Sequence, residues 1–98
     1  MKEKLKNKET DFLFKAILTL DNTDECYSFF EDICTIAEIK AMAQRLAVAK
    51  MLDQEKTYSE ISLATGASAA TISRVAKSLF YGAEGYRLIL DRLGENNG

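Results

Sequence analysis

The sequence predicts an all-α domain, and three observations lead there. None of the 98 residues is proline, so no helix interior is interrupted by a residue that lacks a backbone donor. Apolar residues recur at spacings of three and four through most of the chain, the period of a helix with one buried face. Two Thr-x-x-Glu sequences, Thr35 to Glu38 and Thr57 to Glu60, precede such stretches. They have the form of capping boxes, in which side chains satisfy the amides that a helix start leaves unpaired.

In chain order, residues 1–9 read as a polar leader, frayed or loosely helical. Thr10 is placed to cap a first helix over about 11–20, with Leu13, Ile17 and Leu20 on one stripe and Phe12, Phe14 and Leu18 widening it. Asp21, Asn22 and Thr23 break the pattern and offer caps for a second helix over about 24–34, whose apolar residues are Cys26, Tyr27, Phe29, Phe30, Ile33 and Cys34. The first capping box opens a third helix over about 36–53. There Ile39, Met42, Ala43, Leu46 and Ala49 line one side, and Val48, Met51 and Leu52 extend the apolar surface round it.

The second capping box opens a short helix over about 58–65, with Ile61 and Ala64 facing inward. Gly66 supplies the left-handed residue that a tight turn requires. Ser68 caps the next helix, about 69–80, where Ile72, Val75, Ala76 and Leu79 fall at helical spacing. Gly82 and Gly85 lead to a last helix over about 86–93 carrying Tyr86, Ile89, Leu90 and Leu93, ended by Gly94, with a disordered tail at 95–98. The expected organisation is therefore one helical domain over 10–94. Association helices occupy about 10–53, a helix-turn-helix about 58–80 and a C-terminal helix about 86–93.

A chain of this length has little interior in which to bury three wide-faced helices. Two protomers sharing those faces resolve the difficulty, so the sequence predicts a homodimer whose N-terminal helices interlock.

Composition narrows the function. No apolar run approaches the roughly 18 residues that span a bilayer, which argues against a membrane protein. Asp11 and Lys15 interrupt the apolar stretch after the basic start, and no small-residue cleavage site follows; a cytoplasmic setting is expected. Cys26 and Cys34 lie in apolar contexts and read as free buried thiols. With no histidine and two cysteines, no transition-metal site is expected and the commonest general base is missing. No catalytic residue or cofactor can be assigned, so the chain reads as a non-enzyme. The net charge of −2 does not advertise nucleic-acid binding, but its distribution is uneven. Residues 1–35 carry five basic and eight acidic side chains, whereas Lys40 to Lys77 carry six basic and three acidic.

Two short helices joined by a glycine-containing turn have the layout of a helix-turn-helix, whose second helix enters the major groove of double-stranded DNA. The segment Ser68 to Lys77 suits that task. Ala69 and Ala70 are small enough for close approach and can touch a thymine methyl. Thr71 and Ser73 are short donors and acceptors. Arg74 can fork onto guanine or clamp a phosphate, and Lys77, nearly a turn further along, is placed for phosphate.

The stretch Glu60 to Arg74, followed by Ser78 and Leu79, resembles the reading head of the Trp repressor family. Ala43 to Asp53 and Tyr81 to Tyr86 resemble its YerC/YecD-type branch, and the similarity covers about 30–98. The resemblance implies a Trp repressor-like helical protomer, an intertwined homodimer and a transcriptional regulator, a repressor in the family's manner, reading a two-fold symmetric operator. In the Trp repressor, L-tryptophan lies between two arginines. Arg74 matches the second; the first corresponds to Arg45 or, in an ungapped register, to Gln44. Arg45 and Arg74 are thus the candidate effector pocket. The position after the second arginine is glycine in the Trp repressor and Val75 here, which occupies space that the indole needs, so tryptophan is not the expected corepressor. A second reading of the same residues is a helical protein-interaction module that keeps the fold without reading DNA.

Overall fold

The computed structural model describes the backbone of residues 2–97 and the side chains of residues 3–94. Among the described residues every regular element is helical: α1 (Lys2–Leu5), α2 (Lys8–Ile17), α3 (Thr23–Ile33), α4 (Ile36–Asp53), α5 (Tyr58–Thr65), α6 (Ala69–Tyr81) and α7 (Gly85–Asn97). The chain divides into two units, residues 1–39 and 40–98.

The first unit holds α1, α2, α3 and the start of α4. Its helices begin where local chemistry is strongest. Asn7, in extended backbone, accepts a hydrogen bond from the Thr10 amide at 2.8 Å and starts α2 at Lys8, so Thr10 lies inside the helix and is not its cap. Asparagine outranks threonine as an N-cap, and here it stands three residues earlier. The leader expected over 1–9 takes the helical form of the two it was offered: α1, a short connection and the first residues of α2. Asn22 caps α3 by accepting from the Glu25 amide at 2.9 Å, and the Glu25 carboxylate accepts from the Asp21 amide at 2.9 Å. Leu13, Ile17 and Leu20 are half-buried as one stripe, while Phe12, Phe14 and Leu18 are exposed, Leu18 to 83%. None of the described side chains in this unit is fully buried. Cys26 and Cys34 are free thiols and only half-buried.

The second unit contains the core. Val48 and Ala49 from α4, Ile61 from α5, Ala67 from the turn, and Ile72 and Val75 from α6 are at most 3% exposed. Met51, Leu52, Tyr86 and Leu90 pack around them. The spacing of Ile72, Val75 and Leu79 presents one buried stripe of α6. Two expectations fail here. Ala64 faces solvent, because Ile61 alone fills the inward position of the short α5. Of the side of α4 expected to face inward, Met42, Ala43 and Leu46 are exposed and Ile39 is half-buried; only Ala49 is fully buried there, alongside Val48 from the widening set.

The helix α7 runs from Gly85 to Asn97, so Gly94 does not end it and residues 95–97 are not a tail; Gly98 lies outside the described residues. A glycine inside a helix costs about 1 kcal/mol relative to alanine, which weakens a helix without stopping it. Arg87 of α7 donates to Asp53 at the end of α4, 2.9 Å from Nη1 to Oδ1, and also approaches Asp91.

Candidate nucleic-acid interface

The residues expected to read DNA lie in α6, between Ala69 and Lys77, and in its cap, Ser68. Local chemistry builds this end in steps. The Thr57 hydroxyl accepts from the Glu60 amide at 3.1 Å, and the Glu60 carboxylate accepts from the Thr57 amide at 3.0 Å, closing the box that opens α5. Bonding to Thr57, first to its amide and then to its side chain, holds the Glu60 carboxyl below its ordinary value, helped by nearby Lys56. The same arrangement at Thr35 lowers the Glu38 carboxyl.

At the far end of α5 the chain turns through Gly66, whose φ of 75° is left-handed and suits a residue without a Cβ. The Gly66 amide donates to the Ser62 carbonyl at 2.8 Å, and the Thr65 hydroxyl donates to the Ile61 carbonyl at 2.8 Å. Ser68 then caps α6, its hydroxyl accepting from the Thr71 amide at 3.1 Å.

From that cap, Ser68, Ala69, Ala70, Ser73, Arg74 and Lys77 are all exposed. Among the described residues neither Arg74 nor Lys77 enters an ion pair, so both charges remain available to an outside anion. Thr71 behaves differently from the others. It is half-buried, its Oγ1 accepts from Ser68 Oγ at 3.1 Å, and it lines a cleft behind the helix instead of joining the exposed set.

That cleft, of about 280 Å³, is bounded by Ala41, Gln44 and Arg45 of α4, by Thr71, Arg74, Val75 and Ser78 of α6, and by Tyr86 of α7. It brings together the two arginines singled out from the sequence. Gln44, which the sequence offers only as the alternative to Arg45, lines the cleft alongside it. Val75 sits at the boundary while only 3% exposed. Sequence reasoning does not find Ser78 or Tyr86 as cleft residues, nor a separate role for Gln44. A signal for Gln44 is present: it interrupts the apolar line Ala41, Gln44, Val48 at spacings of three and four. A separate cleft in the first unit is lined by Asp24, Glu25 and Asp32 and would repel phosphate.

No group of His, Cys, Asp and Glu that could hold a metal occurs among the described residues. None of their helices is long and apolar enough to cross a membrane.

Fold and site together define an all-helical protein built around a capped two-helix unit with a small-residue, basic second helix. The chain belongs to the Trp repressor family: the family described as Trp repressor protein matches residues 8–94. It is 54% identical over 93 residues to the uncharacterized protein YerC of Bacillus subtilis (strain 168), covering 95% of this chain and 89% of YerC. Among solved structures it is similar to a candidate Trp repressor from Staphylococcus aureus, at 53% identity and a TM-score of 0.92, covering 96% of this chain and 94% of the other. It is also similar to a TrpR-like protein from Eubacterium eligens ATCC 27750, at 54% identity and a TM-score of 0.91, covering 94% and 95%.

Proposed function

We propose that this protein is a sequence-specific DNA-binding transcriptional regulator, a repressor by the pattern of its family, that works in the cytoplasm as an intertwined homodimer on a two-fold symmetric operator. The observation that carries the reading is the exposed start of α6. There Ala69, Ala70, Ser73, Arg74 and Lys77 stand clear of the core on a capped helix, with neither cation in an ion pair among the described residues. Small residues let the helix enter the groove, Arg74 reads or clamps, Lys77 meets phosphate, and the helix N-terminus favours the anion. Ser68 and Thr71 serve by holding that helix start in shape.

Exposed apolar surface supports the dimer. Leu18, Phe12, Ile36 and Tyr27 are large apolar side chains exposed by 64% or more, and a second copy covering them removes that area from water. No catalytic role is assigned to any residue. The cleft between Arg45 and Arg74 is the place an effector would occupy, and Val75 argues that tryptophan is not that effector.

Selection of bound fragments from a genomic library by the purified protein tests the reading. An enriched palindrome with half-sites about one helical turn apart, bound with a steep salt dependence, is the expected result. Recovery of one stable protein partner with no DNA enriched would replace it with the protein-interaction reading, which the exposed Leu63, Phe80 and Tyr81 favour.

A further inference from the structure

The turn between α5 and α6 has a nearly closed set of polar partners. The Thr65 hydroxyl accepts from the Ala67 amide at 3.1 Å, and Ser62 Oγ donates to the Ala67 carbonyl at 2.9 Å. One further bond in this set comes from outside the two-helix unit. Gln44 Nε2, on α4, donates to the Thr65 carbonyl at 3.1 Å, across 21 residues of sequence. The carbonyl can only accept, so the Gln44 atom facing it must be the amide nitrogen. Among the described residues no side-chain hydrogen bond runs directly between α4 and α6.

Gln44 is also in an unexpected place for a polar residue. It lies on the helical line between Ala41 and the fully buried Val48, and is itself half-buried. A half-buried amide there is costly unless bonded, and an apolar side chain of the same length would pack without that penalty. A polar side chain at this position is best explained by the bond it makes.

We propose that Gln44 is a positioning residue of the DNA-reading unit: its amide clasps the end of α5 to α4, and through Thr65 and Ala67 fixes the turn that presents α6. This role rests on the DNA-binding reading, but the clasp can be tested without it. Thr65 is the last residue of α5 and Ala67 the residue before the α6 cap, so a restraint on Thr65 is passed on within three residues to Ser68. Loss of the clasp would leave the core residues in place and widen the range of directions in which α6 points. Specific binding depends on that direction, whereas non-specific attraction to phosphate depends on charge.

The test compares the full-length protein with Gln44→Met, which keeps the shape and deletes the donor, and Gln44→Glu, which sets an acceptor against the carbonyl. Amide exchange over Gly66 to Ser68 is expected to quicken by about fivefold in Gln44→Met, the loss of one typical hydrogen bond, and by more in Gln44→Glu. The melting temperature of Gln44→Met should stay level or rise. Affinity for the best duplex selected from the genomic library should fall by a similar factor, while affinity for an unrelated duplex of the same length stays level. Unchanged exchange at the turn, or specific and non-specific binding falling together, overturns the proposal. If the wild-type protein selects no duplex, the DNA reading fails and the exchange comparison alone decides whether the clasp exists.

Discussion

Arg74 and Val75 are neighbours in the chain and face opposite surroundings: Arg74 is exposed and enters no ion pair among the described residues, while Val75 is 3% exposed and belongs to the core. Both border the same cleft. Val75 therefore does two things at once. It packs in the cluster of Val48, Ile61 and Ile72, and it lines the cleft together with Arg74.

That double position predicts how the cleft treats tryptophan. Calorimetric titration with L-tryptophan should show no binding in the range that would matter for regulation. Val75→Ala should lower stability by about 2 kcal/mol, the loss of two buried methyl groups with a small cavity term, read by thermal or denaturant unfolding. Tight tryptophan binding by the unaltered protein would show that Val75 does not block the cleft.

Arg74 and Lys77 should separate in a binding assay. Arg74→Ala is expected to weaken the selected duplex by roughly 1–3 kcal/mol and to relax preference at one base position. Lys77→Ala should weaken all duplexes alike and reduce the salt slope by about one unit. Neither change should move the melting temperature appreciably, since both residues are exposed. Equal loss on every duplex for Arg74→Ala would assign it to the phosphate backbone.

The parts of this molecule that are legible in the sequence are those decided within a few residues. Thr35 with Glu38, Thr57 with Glu60, Gly66 and Ser68 each act on backbone groups three or four positions away, and the starts of α4, α5 and α6 and the end of α5 fall where those signals place them. The start of α2 departs from expectation because two polar residues compete for one role, and Asn7 has the better acceptor. The end of α7 departs from it because Gly94 is a weak helix former and not a stop. Burial is less legible. Whether Ala64 or Thr65, Val48 or Leu46, turns inward depends on which helices meet, and a helical period gives the stripe without giving its partner. The role of Gln44 is hidden for the same reason: its partner, Thr65, is 21 residues away.

The two capping boxes predict a pH dependence with a definite sign. Glu38 and Glu60 both titrate below their ordinary value, chiefly because the amides of Thr35 and Thr57 bond to their carboxylates. A folded pKa below the unfolded one gives a contribution that is complete above the ordinary carboxylate range and is lost as pH falls through the folded pKa. Melting temperature should therefore hold steady down to about pH 5 and decline toward about pH 3. Replacing both residues, Glu38→Gln and Glu60→Gln, keeps an acceptor at each helix start but removes the titration. The acid decline of that double variant should be shallower than that of the parent, and an identical decline would assign the acid sensitivity to other carboxylates.

Gly66 offers a clean separation of backbone strain from crowding. A Cβ there would meet nothing within 4 Å, yet the φ of 75° is unfavourable for any residue that has one. Gly66→Ala should cost about 1–2 kcal/mol from the backbone alone, and Gly66→Asn should cost less, because asparagine tolerates the left-handed region. At Gly82 the order of causes is reversed: φ is ordinary, but an added Cβ would collide with the Ser78 carbonyl, so that even alanine must displace the end of α6. Denaturant unfolding of the parent and the three variants should leave Gly66→Asn more stable than Gly66→Ala. It should also show the Gly82→Ala loss accompanied by a change in far-UV helical signal. Equal losses for the two Gly66 variants would mean that the left-handed backbone is not what makes glycine necessary there.

Assembly should depend on the apolar side chains that α2 and its C-cap leave in water. Phe12 is 75% exposed and Leu18 83% exposed, while the other apolar residues of that stretch reach only half-burial at most. A lone chain gains nothing from presenting them to water, whereas burying each against a second copy stabilises the pair by about 1.5–3 kcal/mol per side chain. Sedimentation equilibrium should therefore report a dimer across the micromolar range, and unfolding midpoints should rise with protein concentration, as linkage to association requires. The double substitution Phe12→Ser with Leu18→Ser should shift the protein toward monomer and remove that concentration dependence. It should also cut affinity for a palindromic duplex far more than for a single half-site, because two joined heads bind the second half-site at high effective concentration. A monomeric parent protein with a concentration-independent midpoint would leave those side chains to some other partner and would dissolve the case for a two-fold operator.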